Sequence, residues 1–371
     1  MFNFANNKAR PIGLDIGHSF IRMIQLARTG AHLRVIAADE TRFDTDLDAD
    51  DGISQESMVS AIREMLARGN FCGKDVVSSL SNENLKIKSL RLDTTDSDQI
   101  EQLLRKDVAR QFELDADTDE IRYLVAGNVY QGDEIKNEVI FFGADKASVE
   151  KHISLLTQAG LNPVAIDAAP CALFRCFQGS LRRQEDQNLV SVFIDVGSCF
   201  TTVIMGCGQQ LTFVKQIPIA GRQLNMEVAS QLNVDFKEAI MLRSKLRKSD
   251  PESIDAATRQ AVTDAMSRVV EELAKEISLC FRYYAVTFRG NRPAEAIFAG
   301  GEAYEAVLLD ALKGHLDIET RIAHPFRGFD LTGTNFASHE NSPFCEWAVA
   351  VGLGIKGWDL PDYGTENHER N

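Results

Sequence analysis

The sequence predicts an α/β protein of two related halves that flank a ligand cleft. The segment GLDIGHSFIRMIQ at 13–25 recurs as FIDVGSCFTTVIM at 193–205, and each copy has a strand, an Asp, a Gly turn and a second strand. In the second half, an apolar strand leads into Gly300-Gly301 and a further helical pattern. An internal echo of this kind indicates that the two halves are built alike. At 371 residues the chain is long enough for two hydrophobic cores.

The boundary between the halves is predicted at the polar segment 180–188, SLRRQEDQN, after which a new apolar strand begins. The first half then covers 1–188 and the second half covers 189–356. The remaining residues, 357–371, form a polar tail.

Each half is predicted to carry an insert. Short strands surround an amphipathic helix at about 85–160, which indicates an α+β insert in the first half. The pattern of the second half turns wholly helical at about 222–290, where apolar residues from Val262 to Phe281 share one face.

Composition narrows the function classes. A formal net charge of −14 repels nucleic acid and anionic lipid headgroups, so neither is expected as a partner. The seven cysteines form no C-x-x-C pair and no cluster with zinc-ligand spacing along the chain. The polar segment 1–10 lacks the apolar stretch of a secretory signal, and no window suits a membrane span. We therefore expect a cytoplasmic protein without direct membrane insertion.

The two repeated aspartates predict a metal-assisted phosphate site. Asp15 and Asp195 each end an apolar strand, where an unpaired carboxylate is costly to bury. A Mg²⁺ ion that keeps several waters and takes one or two carboxylates would compensate both charges. Both residues are therefore candidate metal ligands.

The residues that follow each aspartate suit a phosphate group. Gly17 and Gly197 permit tight turns whose N–H groups converge on an anion, and nearby hydroxyl groups add donors. These hydroxyl residues are Ser19, Ser198 and Thr201. Either turn alone is an ordinary strand-end connection, but the occurrence of both at the starts of two related halves favours a shared triphosphate site.

The third element predicts an adenosine site. The strand that ends at Gly300-Gly301 precedes a helical pattern, so the glycines let the backbone approach a base or sugar closely. A Gly-Gly pair before a helix is also a common connection without any ligand.

Together these motifs resemble the phosphate 1, phosphate 2 and adenosine motifs of the actin, sugar-kinase and heat-shock chaperone superfamily. Within it, the chain resembles the FtsA-related family of type IV pilus assembly proteins PilM. The matching segments are 13–22, 103–112, 166–175, 195–201, 217–225 and 344–355.

This resemblance implies an actin-like ATPase fold that binds ATP and Mg²⁺, with slow or absent ATPase activity. It implies a scaffold at the inner face of the inner membrane, where the chain binds the N-terminal cytoplasmic tail of a PilN-like single-span protein. Pilus motor ATPases are further candidate partners. The peptide is expected at the α+β insert, through strand addition or a groove. Nucleotide is expected to act as a conformational switch.

The chain departs from the family at named positions. His18 stands where the family usually has Ser, and Arg22 replaces a Lys. On the ribose side, Ile240 stands at the family's Glu and Arg243 at its Lys. We retain His18, Arg22 and Arg243 as candidate nucleotide contacts. No catalytic base is assigned, although Asp167 is a candidate.

Three alternatives remain open from the residues. A small-molecule kinase would need a catalytic Asp and a polar pocket between the halves, and nothing specific marks one. An FtsA-like filament protein would need an amphipathic C-terminal helix, which the sequence WDLPDYGTENHERN does not provide. A type II secretion scaffold shares the fold and the mode of partner binding.

Overall fold

The protein is described from a computed structural model. The structure describes the residues in the following ranges: 10–29, 32–43, 53–94, 96–131, 134–179, 189–247, 254–288, 293, 295–336 and 342–357. The predicted boundary segment 180–188 lies outside the described residues, as does the predicted tail apart from Gly357.

A six-stranded sheet forms the centre of the first half. Its order is β14-β3-β2-β1-β4-β8. The strands are β1 (Ile12–Ile16), β2 (Phe20–Thr29), β3 (His32–Arg42), β4 (Asp75–Leu80), β8 (Asn162–Ala168) and β14 (Phe329–Asp330). Strands β1, β2 and β3 form an antiparallel meander, whereas β4 and β8 continue the sheet in parallel from β1.

The second half has a five-stranded sheet with the order β11-β10-β9-β12-β13. The strands are β9 (Val190–Val196), β10 (Thr201–Cys207), β11 (Gln210–Ile217), β12 (Glu295–Ala299) and β13 (Glu319–Ile322). Here too the first three strands form an antiparallel meander, and the last two add in parallel beside the first. The echo between 13–25 and 193–205 is therefore a repeat of sheet topology.

Two helices cover one face of the first sheet. Helix α1 (Gln55–Arg68) and helix α4 (Lys146–Gln158) contact each other. Each begins at a side-chain cap, because Ser54 accepts a hydrogen bond from Ser57 N and Asp145 accepts one from Ser148 N. Ile62, Met65 and Leu156 are fully buried against β1 and β2, and each such side chain stabilises the fold by roughly 1.5–3 kcal/mol.

Helices α5 (Ala169–Gln178) and α10 (Ala348–Lys356) cross each other closely and contact strands of the first sheet. Gly352 lies at the crossing, where a Cβ atom would overlap the Ala172 carbonyl group. Arg175 Nη1 donates to the Gly352 carbonyl oxygen at 3.2 Å. Glycine at this position lets the two backbones approach more closely than any side chain would allow.

A separate three-stranded sheet lies within the predicted α+β insert. Its order is β5-β7-β6, formed by β5 (Lys86–Leu92), β6 (Glu120–Gln131) and β7 (Glu134–Ala144). One helical stretch covers it, formed by α2 (Ser97–Leu103), a π-helical turn (Leu104–Val108) and α3 (Ala109–Gln111). Apolar residues of both layers form their own small core.

The insert contacts the second half through a polar network. Glu138 of β7 is fully buried. It accepts hydrogen bonds from Tyr283 Oη and from Arg91 Nε, the latter at 3.2 Å. Arg91 Nη2 also donates to Thr287 Oγ1 at 2.5 Å. Burial raises the pKa of Glu138, and the bonds from Tyr283 and Arg91 oppose that effect.

The helices of the second half are α6 (Gly221–Leu232), α7 (Phe236–Arg247), α8 (Ala256–Phe288) and α9 (Ala306–Leu316). Helix α8 is 33 residues long, and its predicted apolar face is buried from Val262 to Phe281. Within the described ranges, no helix is long and apolar enough to cross a membrane.

Candidate functional site

The two repeated turns have the same backbone hydrogen bond. The N–H of Gly17 donates to the Phe20 carbonyl oxygen at 2.9 Å, and the N–H of Gly197 donates to the Phe200 carbonyl oxygen at 3.1 Å. In either turn a Cβ on the glycine would lie 3.2 Å from that carbonyl oxygen, which is tighter than usual. The predicted Asp-Gly turns are thus equivalent in conformation as well as in sequence.

The two repeated turns also contact each other through their side chains. Ser19 Oγ lies 3.0 Å from Ser198 Oγ, so one hydroxyl of each turn joins a bond between the two halves. Thr201 differs, because its hydroxyl group donates to the Ile219 carbonyl oxygen at 2.6 Å and its side chain is fully buried. Thr201 therefore links the start of β10 to the segment that precedes α6.

The start of α6 holds the second turn in place. The N–H groups of Gly221 and Arg222 donate to the carbonyl oxygens of Gly197 and Ser198 at 3.1 and 2.7 Å. Because the second turn is bonded through its own backbone, its shape is set before any ligand arrives.

Asp15 and Asp195 are half-buried, and their charges interact. Burial raises the pKa of Asp15 to about 6, and the Arg22 charge partly offsets that shift. Burial raises the pKa of Asp195 to about 7, the Asp15 charge adds to the shift, and Arg22 opposes it. Among the described residues, neither carboxylate accepts a hydrogen bond. This pair fits a hydrated Mg²⁺ ion, which would supply the missing counter-charge.

Arg22 contacts protein groups. Its Nε donates to Glu40 Oε2 at 3.2 Å, and its guanidinium lies 4.7 Å from the Phe20 ring centroid and 5.9 Å from the Trp347 ring centroid. Its β2 position pairs directly with Asp15 of β1. Arg22 thus supplies fixed positive charge behind Asp15.

The Gly300-Gly301 turn lies against the second aspartate. Gly300 has φ +88°, and a Cβ on it would overlap Asp195 Oδ1 and the Val196 carbonyl group. Its N–H donates to the Cys345 carbonyl oxygen at 3.3 Å. A Cβ on Gly301 would meet no atom within 4 Å. The predicted adenosine turn therefore adjoins the predicted metal ligand.

Beneath this turn lies a buried ionic cluster. Arg243 Nη2 donates to Glu302 Oε2 at 2.5 Å and also to Glu305 Oε2. Arg243 Nη1 donates to Asn225 Oδ1 at 2.7 Å and to the Gly221 carbonyl oxygen at 3.0 Å. The Arg243 side chain is 1% exposed, so its described contacts are all with protein.

Arg247 completes the cluster, with Nη2 at 2.5 Å from Glu302 Oε2 and 3.6 Å from Glu305 Oε2. The two arginines lower the pKa of Glu302 against the opposing effect of burial. Glu302, Glu305 and Arg247 were not among the site residues predicted from the sequence. The available signal was two acidic residues in the otherwise apolar stretch that follows Gly301.

The candidate base Asp167 is ion-paired. Its Oδ2 lies 2.8 Å from Arg175 Nη1 and 3.3 Å from Lys356 Nζ. The two cations belong to two neighbouring helices. Asp167 thereby links β8 to helices α5 and α10.

His18 lies on the first turn and is half-buried. Glu238 is exposed, and Ile240, at the family's Glu position, is half-buried on α7.

A model of the family described as type IV pilus assembly protein PilM matches residues 13–358. The chain belongs to the PilM family of type IV pilus assembly proteins. The match confirms the predicted family and covers both turns, the insert and Gly300-Gly301.

Two solved structures show a similar fold. The chain resembles one chain of the structure titled PilM-PilN type IV pilus biogenesis complex, with 19% identity and a TM-score of 0.76; 94% of this chain and 98% of that chain are covered. It also resembles the ethanolamine utilization protein EutJ from Carboxydothermus hydrogenoformans, with 12% identity and a TM-score of 0.56; 94% of this chain and 89% of that chain are covered. The predicted actin-like fold of this PilM family member is confirmed.

Proposed function

We propose that this PilM family member is an ATP-binding scaffold of the type IV pilus assembly platform. In this proposal ATP and Mg²⁺ bind between the halves, and the nucleotide acts as a conformational switch. The observation that carries the proposal is the meeting of two equivalent Asp-Gly turns, with 3.0 Å between Ser19 Oγ and Ser198 Oγ.

The phosphates would bind at the turns, and Asp15 and Asp195 would hold the hydrated Mg²⁺ ion. Magnesium supplies positive charge that offsets the phosphate oxygens and both aspartates. The nucleoside would lie against Gly301, whose Cα faces open space. Arg243 would act as a positioning residue, because it bonds the two glutamates that follow this turn.

Slow or absent hydrolysis is part of the proposal. Asp167, the candidate base, is held in ion pairs with Arg175 and Lys356, which give it a structural role. Nucleotide binding would then control the relation of the halves without rapid turnover.

The proposed partner is the N-terminal cytoplasmic peptide of a PilN-like membrane protein, which would recruit the chain to the inner face of the inner membrane. Support comes from the family match and from the insert sheet, whose outer strands are β5 and β6. An extended peptide can add to such an edge. Leu124 and Val125 of β6 are 40% and 42% exposed and would supply apolar contact.

Calorimetric titration with ATP and Mg²⁺ tests the nucleotide site, with Asp15→Ala and Asp195→Ala as loss variants. We expect binding by the wild-type chain and a large loss in both variants. An absence of binding to the wild-type chain would overturn the nucleotide proposal.

A separate titration with the N-terminal peptide of the PilN-like protein tests the partner. Leu124→Asp is expected to weaken peptide binding. Met226→Asp is the matched control, because Met226 is 54% exposed on α6, which is not part of the insert. Equal peptide affinity in both variants would place the peptide elsewhere.

A further inference from the structure

Three side chains with metal-binding atoms lie close together beside the two repeated turns. They are His18 of the first turn, Cys199 of the second turn and Glu83 of the segment between β4 and β5. Their ligand atoms all lie within 4.8 Å of one another. No two of them are close in sequence, so zinc-ligand spacing along the chain could not reveal the group.

The three ligand types select a class of metal. An imidazole nitrogen, a thiolate and a carboxylate oxygen together suit a borderline-soft ion. Zinc binds each of these ligand types in proteins. Zinc bonds of about 2.0–2.3 Å in a tetrahedron place ligand atoms roughly 3.3–3.8 Å apart. The observed upper bound of 4.8 Å between the ligand atoms exceeds that spacing by about 1 Å.

The backbone around each ligand is held in place. The turns of His18 and Cys199 are closed by the hydrogen bonds of Gly17 and Gly197. The Glu83 segment is closed by a bond from Asn84 N to the Ser81 carbonyl oxygen at 3.0 Å.

A further bond ties the Glu83 segment to the second half, because Gln216 Nε2 of β11 donates to Asn82 Oδ1 at 3.0 Å. All three ligands therefore lie on segments fixed by bonds outside the group itself, and a metal ion would require little ordering of the chain.

We propose that His18, Glu83 and Cys199 form a Zn²⁺ site that joins the two halves beside the repeated turns. Three protein ligands leave one tetrahedral position for water or another oxygen ligand. His18 and Glu83 belong to the first half and Cys199 to the second, so the ion holds the turns together. The site goes beyond the proposed nucleotide site and does not depend on it.

Formation of this site releases a proton from the Cys199 thiol. Burial is the main cause that raises the pKa of Cys199; the Glu83 charge adds to it and the Arg222 charge opposes it. A bound zinc ion displaces the proton, because the thiolate is the form that binds metal. Arg222 faces the same thiol and favours that thiolate.

Cobalt titration of the chelator-treated full chain, without nucleotide, tests the site. Co²⁺ takes the same ligands as zinc and gives a thiolate charge-transfer absorption when sulfur is bound. We expect a saturable band at one Co²⁺ per chain that zinc abolishes. Cys199→Ser should remove the band, while His18→Ser and Glu83→Gln should weaken metal affinity by about 10-fold or more.

Cys72→Ser is the matched control, because Cys72 is an exposed thiol outside the group. It should leave the band unchanged. A band that is absent from the wild-type chain, or that survives Cys199→Ser, would overturn the proposal. The variant His18→Ser carries the residue that the family usually has, so its fold is expected to persist.

Alkylation followed by peptide mass spectrometry provides a second readout within one sample. Zinc should slow modification of Cys199 by about 10-fold or more and leave Cys72 unaffected. Equal modification of Cys199 with and without zinc would contradict the site, whatever the outcome of ATP titration. A chain that binds ATP but not zinc would overturn the zinc site and leave the nucleotide proposal standing.

Discussion

Ser19 Oγ and Ser198 Oγ lie 3.0 Å apart, although 179 positions separate them in the chain. Each follows the glycine of an equivalent turn, by two residues in the first half and by one in the second. Asp15 and Asp195 precede these turns, and their carboxylates are close enough for their charges to interact. This arrangement sets two opposing requirements on the aspartates, one for stability and one for ligand binding.

Asp195→Asn is expected to stabilise the ligand-free chain and to abolish Mg²⁺-dependent ATP binding. The wild-type carboxylate is partly desolvated and lies near Asp15, so its ionised form is costly at neutral pH. The amide removes that cost, and we expect a gain of about 1–2 kcal/mol in the free energy of unfolding at pH 7.5. Urea denaturation and calorimetric titration measure the two effects.

The control is Asp310→Asn, since Asp310 is exposed on α9. It should change neither quantity. A destabilised Asp195→Asn chain would show that the carboxylate is held by a favourable contact, contrary to the geometry above.

The same aspartates predict how stability depends on pH. Burial raises their pKa values from the ordinary 3.8 of an aspartate to about 6 and about 7 in the folded chain. The folded state therefore holds more protons than the unfolded state between about pH 4 and pH 7, and stability contributed by these groups is lost as the pH rises through that window. Below pH 4 both states are protonated and the contribution is fully present.

The double variant Asp15→Asn/Asp195→Asn isolates this contribution. We expect its stability advantage over the wild-type chain to be near zero at pH 4 and to grow to roughly 1–3 kcal/mol by pH 7.5. Urea denaturation at several pH values measures it, without nucleotide or metal. An advantage that shrinks as the pH rises would refute the assignment.

Much of the framework could be predicted from the sequence because it rests on local patterns. The echo of 13–25 in 193–205 predicted the first hairpin of each sheet, and helical spacing predicted the buried face of α8. The sequence predicted only that the two turns share a site. It did not predict the contact between Ser19 and Ser198, because local periodicity carries no information about distances between the halves.

The ionic cluster could not be predicted for a different reason. Arg243 was assigned to the nucleotide by its place in a family motif, which gives no information about burial. Its partners lie 59 and 62 positions away, on the segment after Gly301. Likewise, the His18, Glu83 and Cys199 group depends on three turns that meet only in the folded chain.

Gly300→Ala is expected to reduce both stability and nucleotide affinity. The residue has φ +88°, and a Cβ would overlap Asp195 Oδ1 and the Val196 backbone. Strain and the displaced carboxylate together should cost about 2–4 kcal/mol in the free energy of unfolding. Gly301→Ala is the matched control, because a Cβ there meets nothing within 4 Å and should leave stability nearly unchanged. Urea denaturation compares the two adjacent variants, and equal stability losses would argue against a special role for Gly300.

Arg243→Met is expected to destabilise the chain by about 3–5 kcal/mol, because it leaves buried carboxylates without their main partner. Glu302 keeps Arg247 at 2.5 Å, whereas Glu305 keeps only a 3.6 Å ion pair with the same residue. Glu305 is fully buried, so its charge accounts for most of the loss. Arg268→Met is the control, since Arg268 pairs with Glu227 at the surface and its removal should have little effect.

The double variant Arg243→Met/Glu305→Gln distinguishes an unpaired charge from a simple packing defect. If the charge of Glu305 causes the loss, the neutral amide should recover about half or more of the stability lost in Arg243→Met, giving a coupling free energy of about 1–3 kcal/mol in a double-mutant cycle. If the loss is a packing defect, the two changes should add. Because the cluster lies beneath Gly300-Gly301, recovery of stability without recovery of ATP affinity would show that Arg243 positions the turn itself.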